Sequence, residues 1–364
     1  MQLRALDLPN IDELLPIGGL HLAFTRSCAK ASIVKAFDWD QTACQVYEAN
    51  YGPQLVSKAD ISTLTASYLS PLHASIWLLS PSCQPYTVLN PNAKGTSDPR
   101  AKSFFHLIDT VLPDLVRSGD QPRYMLVENV AGFQDSTART NLVATLTQLG
   151  YSVQEFLLSP LQFGIPNSRL RYYLLAKFPP LEFNFPASYT TGDVLEYIPG
   201  QGVVNKTVQQ LKHYLDMDLS ESDAKIYKIS DRILTRWGRL FDIVVPSGTK
   251  SCCFTRGYTQ LVERSGSILQ MNELLNTTTV FNNFLTLLAR GDTEAVRELD
   301  QLGLRYFSPS ELLRLLHFVD TKKSASFNWP PNVSLKSKYR LIGNSVNVEV
   351  VRQLINYLLD EPSS

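Results

Sequence analysis

The sequence predicts an α/β protein in which a doubly wound, mainly parallel sheet is joined to a smaller, irregular domain. Three observations carry that prediction. Short apolar runs alternate with amphipathic stretches through the first half of the chain, the pattern of strands joined by crossover helices. A paired-glycine turn, Gly18-Gly19, is followed by an apolar run ending in Asp38, about 20 residues on, the spacing of a nucleotide-binding α/β unit. Beyond Phe178-Pro179-Pro180 the periodicity becomes irregular, and Gly, Pro, Ser and Thr are frequent to about residue 305.

Residues 11 to 60 read as the first half of the α/β unit. A poor first strand is expected just before Gly18, interrupted by Asp12, Glu13 and Pro16, and an amphipathic stretch with Leu20, Ala23 and Phe24 follows. Glycines at such a turn let backbone approach a ligand closely, although the pair alone more often marks an ordinary tight turn. Ile33 to Phe37 reads as the second strand. Asp38 at its end suits either two ribose hydroxyls or a helix N-cap, Trp39 suits stacking on adenine, and Asp60-Ile61 suits the adenine edge. The three together favour an adenosyl pocket.

Ile76 to Leu79 reads as a buried strand, stopped by Pro81 and Pro85, with Cys83 held between the two prolines. Val88 to Ser103 is a long polar loop, which suits a lid or a plain surface loop. Phe104 to Val116 is expected to be helical, with Phe105, Ile108, Leu112 and Leu115 on one face; so is Arg139 to Leu149, ended by Gly150. The strand Tyr124 to Val127 runs into Glu128-Asn129-Val130, Val153 to Leu158 forms another, and Asn167-Ser168-Arg169-Leu170-Arg171 leads into a strand from Tyr172 to Ala176. A thiol, a carboxylate and two guanidiniums therefore gather at sheet ends, where open α/β sheets place their chemistry.

Composition narrows the class. Of 364 residues, 44% are apolar and 19% charged, which fits a globular, soluble chain and not a disordered one. Lys+Arg and Asp+Glu are equal at 34 each, so any contact with nucleic acid requires clustered basic residues. Such a cluster exists: Lys225, Lys228, Arg232, Arg236, Arg239, Lys250, Arg256 and Arg264 face only Asp231, Asp242 and Glu263, with Tyr227, Trp237, Phe254 and Tyr258 interleaved. Basic residues among aromatics suit phosphates and unstacked bases, and equally a solvated face over a core. The five cysteines show no Cys-x-x-Cys spacing, which argues against a disulfide framework or structural zinc and for reduced thiols in the cytoplasm or nucleus. The N-terminus has no signal-peptide pattern and no apolar run approaches membrane-spanning length. Near the C-terminus, Ser308-Pro309 reads as a helix entry, and Val350, Val351, Leu354, Ile355 and Leu358 mark the apolar face of a last helix.

Pro81-Ser82-Cys83-Gln84, Glu128-Asn129-Val130, Arg169-Leu170-Arg171 and Tyr339-Arg340-Leu341-Ile342-Gly343-Asn344-Ser345-Val346 resemble, in this order, the motifs of the cytosine-5 methyltransferase family. Cys253-Phe254-Thr255, continued by Gly266-Ser267-Ile268-Leu269-Gln270, resembles the branch that methylates tRNA-Asp in the anticodon loop, at position 38. The resemblance implies a Rossmann-like methyltransferase sheet over 1–185 and 325–364 that binds S-adenosylmethionine, and a target-recognition domain over 186–324. It implies Cys83, Glu128, Arg169 and Arg171 as catalytic groups. Cofactor contacts would be Ile17, Gly18, Gly19, Leu20, Asp38, Trp39, Asp60, Ile61, Pro81, Asn344, Ser345 and Val346. Gln84, Asn129, Cys253, Phe254 and Thr255 would meet the substrate, tRNA or, as the family's wider role, DNA; no metal and no membrane is implied. Two positions depart from the family: relatives carry an extra glycine in the first turn, and most often a proline where this chain has Ser82.

The residue types suit that chemistry. Carbon 5 of cytosine is a poor nucleophile until a thiolate adds to carbon 6, and Cys83 is the thiol sited for this. Guanidiniums nearby favour the thiolate, and a carboxyl at 128 suits ring nitrogen 3 and the exocyclic amine. Cysteine 253 itself reads as a small buried hydrophobe. Two other classes compete: a nucleic-acid-binding protein without turnover, motivated by the two departures, and a thiol hydrolase, which needs His21, His73, His106, His213 or His317 beside Cys83.

Overall fold

The computed structural model describes residues 3–9, 17–81, 99–185, 194–201, 206–320 and 327–361. An eight-stranded sheet is built from β1 (Leu3–Pro9), β2 (Ala31–Asp38), β3 (Val56–Lys58), β4 (Ile76–Ser80), β5 (Tyr124–Val130), β6 (Ser152–Leu158), β7 (Arg171–Lys177) and β8 (Val194–Leu195), in the spatial order β3-β2-β1-β4-β5-β7-β6-β8. Every pairing is parallel except those of β7, which runs antiparallel to β5 and β6. The chain winds outward from β1 to β3, then returns to lay β4 against the other side of β1, with Pro9 level with Ser80. That reversal is the switch point at which doubly wound sheets open a crevice.

Alternation along the strands explains the layers. Ile76 and Leu78 belong to one core, with Leu20, Ala23 and Phe24 of α1 (Gly19–Thr25) and the inner face of the C-terminal helix; Trp77 and Leu79 belong to the other. That second core is closed by α4 (Pro99–His106), a π-helical turn (Leu107–Val111), α5 (Leu112–Ser118) and α6 (Thr137–Gln148). A period-2 strand buried on both faces needs exactly such cover on each side.

Two expectations are corrected. The first strand is Leu3–Pro9, earlier than the stretch before Gly18, because Leu3-Arg4-Ala5-Leu6 fits between β2 and β4 while Pro9 ends the pairing. The polar loop expected to reach Ser103 gives way to helix already at Pro99, whose fixed φ suits a first helical turn. The rest of that loop, 88–98, and Asp12, Glu13 and Pro16 lie outside the described residues.

A second, three-stranded sheet comprises β9 (Ile243–Val244), β10 (Ile268–Gln270) and β11 (Leu304–Arg305), in the order β11-β10-β9. It packs with α8 (Asp231–Trp237), α9 (Thr277–Ala289) and a 3-10 helix (Ala295–Leu302) around Leu234, Ile268, Phe284, Leu299 and Leu302; α7 (Glu221–Ile226) lies just before α8. The chain then enters α10 (Pro309–Leu315) through Ser308, whose hydroxyl accepts the Glu311 N–H at 3.1 Å while Glu311 Oε2 accepts the Ser308 N–H at 2.7 Å. Two last helices, α11 (Leu335–Gly343) and α12 (Val348–Leu359), return to the large sheet. Among the described residues no helix is long and apolar enough to cross a membrane.

Glu311 is fully buried and takes both terminal nitrogens of Arg305, at 2.7 and 2.9 Å, besides the backbone N–H of Asp216 at 2.8 Å. Removing one partner of such a pair strands the other as an uncompensated buried charge. Glu311→Ala is expected to lower unfolding stability by about 3–5 kcal/mol, read as a drop in the urea midpoint at unchanged slope.

Candidate active site

Strand ends at the switch point set the site. Ser80 closes β4 and Glu128 lies near the end of β5, so the two meet across neighbouring strands: Ser80 Oγ donates to Glu128 Oε2 at 2.8 Å. The other carboxylate oxygen faces Arg171, whose Nε lies 3.4 Å from Oε1. Asn129 turns its amide back to the Pro81 carbonyl at 3.2 Å, tying the two strand ends together. These groups, with Val130, Arg169, Gly343 and Asn344, line a cleft of about 50 Å³. Pro81 brings the chain to within two residues of Cys83; Ser82, Cys83 and Gln84 themselves lie outside the described residues. No histidine is among the residues lining the described cleft.

Arg169 and Arg171 divide their work. Arg169, 4% exposed, donates to the carbonyls of Phe254 at 2.8 Å, Gly343 at 3.1 Å and Ser345 at 2.5 Å. Those bonds stitch β7, the Cys253 segment and the C-terminal segment into one wall, so Arg169 positions the site while Arg171 faces its carboxylate. Burial, with the like charge of Arg171 next to it, lowers the Arg169 pKa.

Both guanidiniums also reach the thiol of Cys253, Arg169 at 3.4 Å and Arg171 at 3.6 Å. Burial alone would raise this thiol's pKa, but the two cations outweigh it and hold it below the ordinary value. The neighbouring Cys252 goes the other way: burial, together with the Asp242 carboxylate, pushes it up to about 12 despite the Ser267 hydroxyl. Cys253 is therefore not the inert hydrophobe its sequence suggests. Phe254 is corrected in the opposite sense. Its ring is 3% exposed and packs edge-on against Tyr258 and Phe307 at 5.1 and 5.0 Å, so it serves the core and has no free face for a base. Tyr258, 2% exposed, is likewise core. Thr255 N–H bonds the Ser265 carbonyl at 2.9 Å, and its backbone lies so close to Gly343 that a Cβ there would collide with it.

The glycine turn lies beside the C-terminal segment. Ile17 N–H donates to Ser345 Oγ at 3.4 Å across 328 residues, and a Cβ on Gly19 would meet Val346 Cγ2 at 2.7 Å. Gly18 has φ 77°, and its Cα side is filled by the ring of Tyr51, whose hydroxyl donates to the Gly18 carbonyl at 3.1 Å. Leu20 is buried beneath the turn. At the end of β2, Asp38 is 1% exposed and its Oδ1 accepts the Asp40 N–H at 2.5 Å; the helix N-cap is Asp40, at the start of α2 (Gln41–Tyr51). Trp39 is 48% exposed with Lys58 Nζ 5.8 Å from its ring centre. Asp60 caps a 3-10 turn by accepting the Ser62 N–H at 2.7 Å, and Ile61 beside it is buried.

Two contributors, Ser80 and Asp40, have no sequence reading, and a third, Gly343, is read only as part of the family motif at 339–346. Ser80 holds Glu128, Gly343 permits the close approach of Thr255, and Asp40 pairs with Arg340 of α11 at 2.5 Å. Burial would raise the Asp40 pKa, but Arg340 and the N–H groups of Ala43 and Thr42 lower it overall. Only Asp40 left a local signal, an Asp before the helix that starts at Gln41.

Comparisons with known proteins now bear on this geometry. The family model described as C-5 cytosine-specific DNA methylase matches residues 11–360. The chain belongs to the cytosine-5 methyltransferase family. A Schizosaccharomyces pombe protein named tRNA (cytosine(38)-C(5))-methyltransferase is 39% identical over 347 residues, 94% of each chain. A Dictyostelium discoideum protein named DNA (cytosine-5)-methyltransferase is 33% identical, over 94% of this chain and 92% of its own. The crystal structure of a triple mutant of Spodoptera frugiperda DNMT2 superposes with a TM-score of 0.80 at 31% identity, covering 99% of this chain and all of that one. The chain is a methyltransferase with a Rossmann-like sheet, in the branch formed by its tRNA-methyltransferase-named relatives, and its family uses S-adenosylmethionine as methyl donor.

Thiol reactivity tests the electrostatics around Arg171. In a Cys83→Ala background, Cys253 is expected to reach half its limiting alkylation rate below the ordinary thiol range near ~8.5, and Cys252 only at far higher pH. Arg171→Ala should move the Cys253 midpoint upward, measured by mass spectrometry of iodoacetamide-labelled peptides across a pH series. An unmoved midpoint would remove Arg171 as the cause.

Proposed function

We propose that this protein methylates carbon 5 of a cytosine at position 38 in the anticodon loop of tRNA-Asp, through a covalent adduct to Cys83. One observation carries the proposal: Glu128 and Arg171 are locked together in a cleft that Pro81, two residues before Cys83, also lines. Relatives named tRNA (cytosine(38)-C(5))-methyltransferases support the substrate. In this scheme 1–185 and 325–364 form the catalytic domain and 186–324 the target-recognition domain, acting in the cytoplasm or nucleus.

The edge formed by β1, β2 and β3 fits S-adenosylmethionine in its chemistry: a buried carboxylate at Asp38 for the ribose hydroxyls, a half-exposed indole at Trp39 for adenine, and Asp60-Ile61 for its edge. Ile17, Gly18, Gly19 and Leu20 would line the methionine end, with Pro81, Asn344, Ser345 and Val346 opposite. When bound, the cofactor supplies an electrophilic methyl group.

The chain's own residues do the rest. The Cys83 thiolate adds to carbon 6 of the flipped cytosine, which loads electron density onto carbon 5. Glu128, carrying a proton to ring nitrogen 3 and accepting from the exocyclic amine, stabilises the ring as it takes up charge. Arg171 fixes the carboxylate's angle and offers a donor to the base's carbonyl oxygen, while Asn129 and Gln84 wall the base. Once carbon 5 has been alkylated, its proton passes to water, the bond from carbon 6 to sulfur breaks to release the Cys83 thiolate, and ring nitrogen 3 returns its proton to Glu128, which restores the aromatic ring. Extruding the base costs less from a single-stranded loop than from a duplex, which favours the tRNA over DNA.

Purified protein with labelled S-adenosylmethionine, offered tRNA-Asp transcript and duplex DNA side by side, is expected to label the tRNA. Cys83→Ala should abolish labelling, and Glu128→Gln should lower kcat by about 10²–10⁴-fold. Label in DNA alone would favour DNA methylation, and tRNA binding without label a protein without turnover.

A further inference from the structure

Beside the small sheet lies a cavity of about 490 Å³ that methylation does not use. Its size falls in the ~300–1,000 Å³ range of ligand sites. The floor is apolar, built by Leu234, Leu299 and Leu304, all under 10% exposed, with Met271. The rim carries Lys225 and Lys228, both exposed. The carboxylates there are already engaged: Asp216 with Arg314 at 2.5 Å, and Asp300 with Arg297 at 2.8 Å, which leaves Lys228 a looser 3.4 Å contact. Arg305, also in the wall, is closed against Glu311. What the cavity offers a ligand is an apolar slot with positive charge at its mouth.

Location selects the ligand. The exposed Arg232 and Arg236 lie on α8, whose Leu234 forms part of the cavity floor, and exposed Arg239 follows the helix; Arg236 stands 4.8 Å from the Trp237 ring centre. In the other direction, Arg305 leads through Tyr306 to Phe307, which packs on Phe254, next to the Cys253 thiol held by Arg169 and Arg171. We propose that the cavity holds a second nucleotide of the RNA that carries the target cytosine, its base on the leucine and methionine floor and its phosphate against Lys225 and Lys228. The proposal rests on the tRNA reading above and makes the cavity a specificity determinant, since a loop must present two extruded bases at a fixed separation to fill both sites. Apolar burial of the second base offsets its unstacking.

The test is a double-perturbation cycle on the intact enzyme. Anticodon-loop positions of tRNA-Asp transcript are made abasic one at a time, and methylation kinetics are compared between wild type and Ala224→Trp, which fills the slot from α7. With wild type, one abasic position other than the target is expected to raise KM about 10-fold. Ala224→Trp should raise KM for intact tRNA similarly, keep kcat, and be indifferent to that same abasic substitution. A Lys225→Gln, Lys228→Gln double variant, which leaves the floor intact, should raise KM and flatten its salt dependence. Thermal melting and calorimetric titration with S-adenosylhomocysteine establish that each variant is folded. Penalties that simply multiply between Ala224→Trp and every abasic position, or wild-type KM in both folded variants, would overturn the proposal. If wild type labels DNA and no tRNA, the tRNA reading has failed first and the proposal falls with it, an outcome visible before any variant is made.

Discussion

Arg169 is the tie on which the site depends. It stands at the entry to β7, and two stretches far away in the chain end against it: the Cys253-Phe254 segment and the Gly343–Ser345 turn. A guanidinium presents its donors in a rigid fork, and here the fork is spent on backbone carbonyls, each charge-assisted bond contributing about 1.5–3 kcal/mol. Arg171, two residues on, opens β7 opposite Val130, two residues from Glu128 on the same face of β5, and so comes to stand over Glu128.

At the first turn, packing alone accounts for both glycines. Gly18 needs its left-handed conformation, and Gly19 its missing Cβ, for internal reasons: the Tyr51 ring and the Val346 side chain occupy the space. His21 stacks on Tyr51 at 4.1 Å and bonds Tyr47 at 2.6 Å, and burial lowers its pKa to about 4. It is therefore neutral at physiological pH, and the turn's packing does not titrate there. The Asp40–Arg340 pair binds the helix after β2 to the helix before Asn344. The last 30 residues thus complete an edge that begins at Ile17.

Much of this was legible in the sequence where periodicity is strong. Ile76 to Leu79 could be assigned as a doubly buried strand because neither face carries a polar residue, and Glu128 and Arg171 could be placed at sheet ends because each borders such a run. The first strand lies further upstream than the paired glycines suggest, because Pro9 ends it and residues 10–18 intervene before α1. Phe254 and Tyr258 were misread for a different reason. In an irregular segment no period says which way a side chain faces, and only contact with Phe307 and Tyr339 turns these rings inward. The eight basic residues of 225–264, by contrast, are all exposed, as charged side chains mostly are.

Cys253 follows from the same electrostatics. Two guanidiniums close enough to share one sulfur repel each other, and Arg169 is already the more deeply buried. A serine at 253 would offer a hydroxyl but no titratable charge, and an alanine would leave the repulsion unscreened. A thiol whose ionised form is favoured by both cations places beside them a polarisable atom that accepts from two donors at once. Arg171 is then held between thiol and carboxylate instead of being drawn wholly onto either, with its Nη1 donating to the Leu170 carbonyl at 2.8 Å. The Cys-Phe-Thr segment accordingly acts through its first residue as an electrostatic counterweight and through its second as core, two roles that composition alone does not separate.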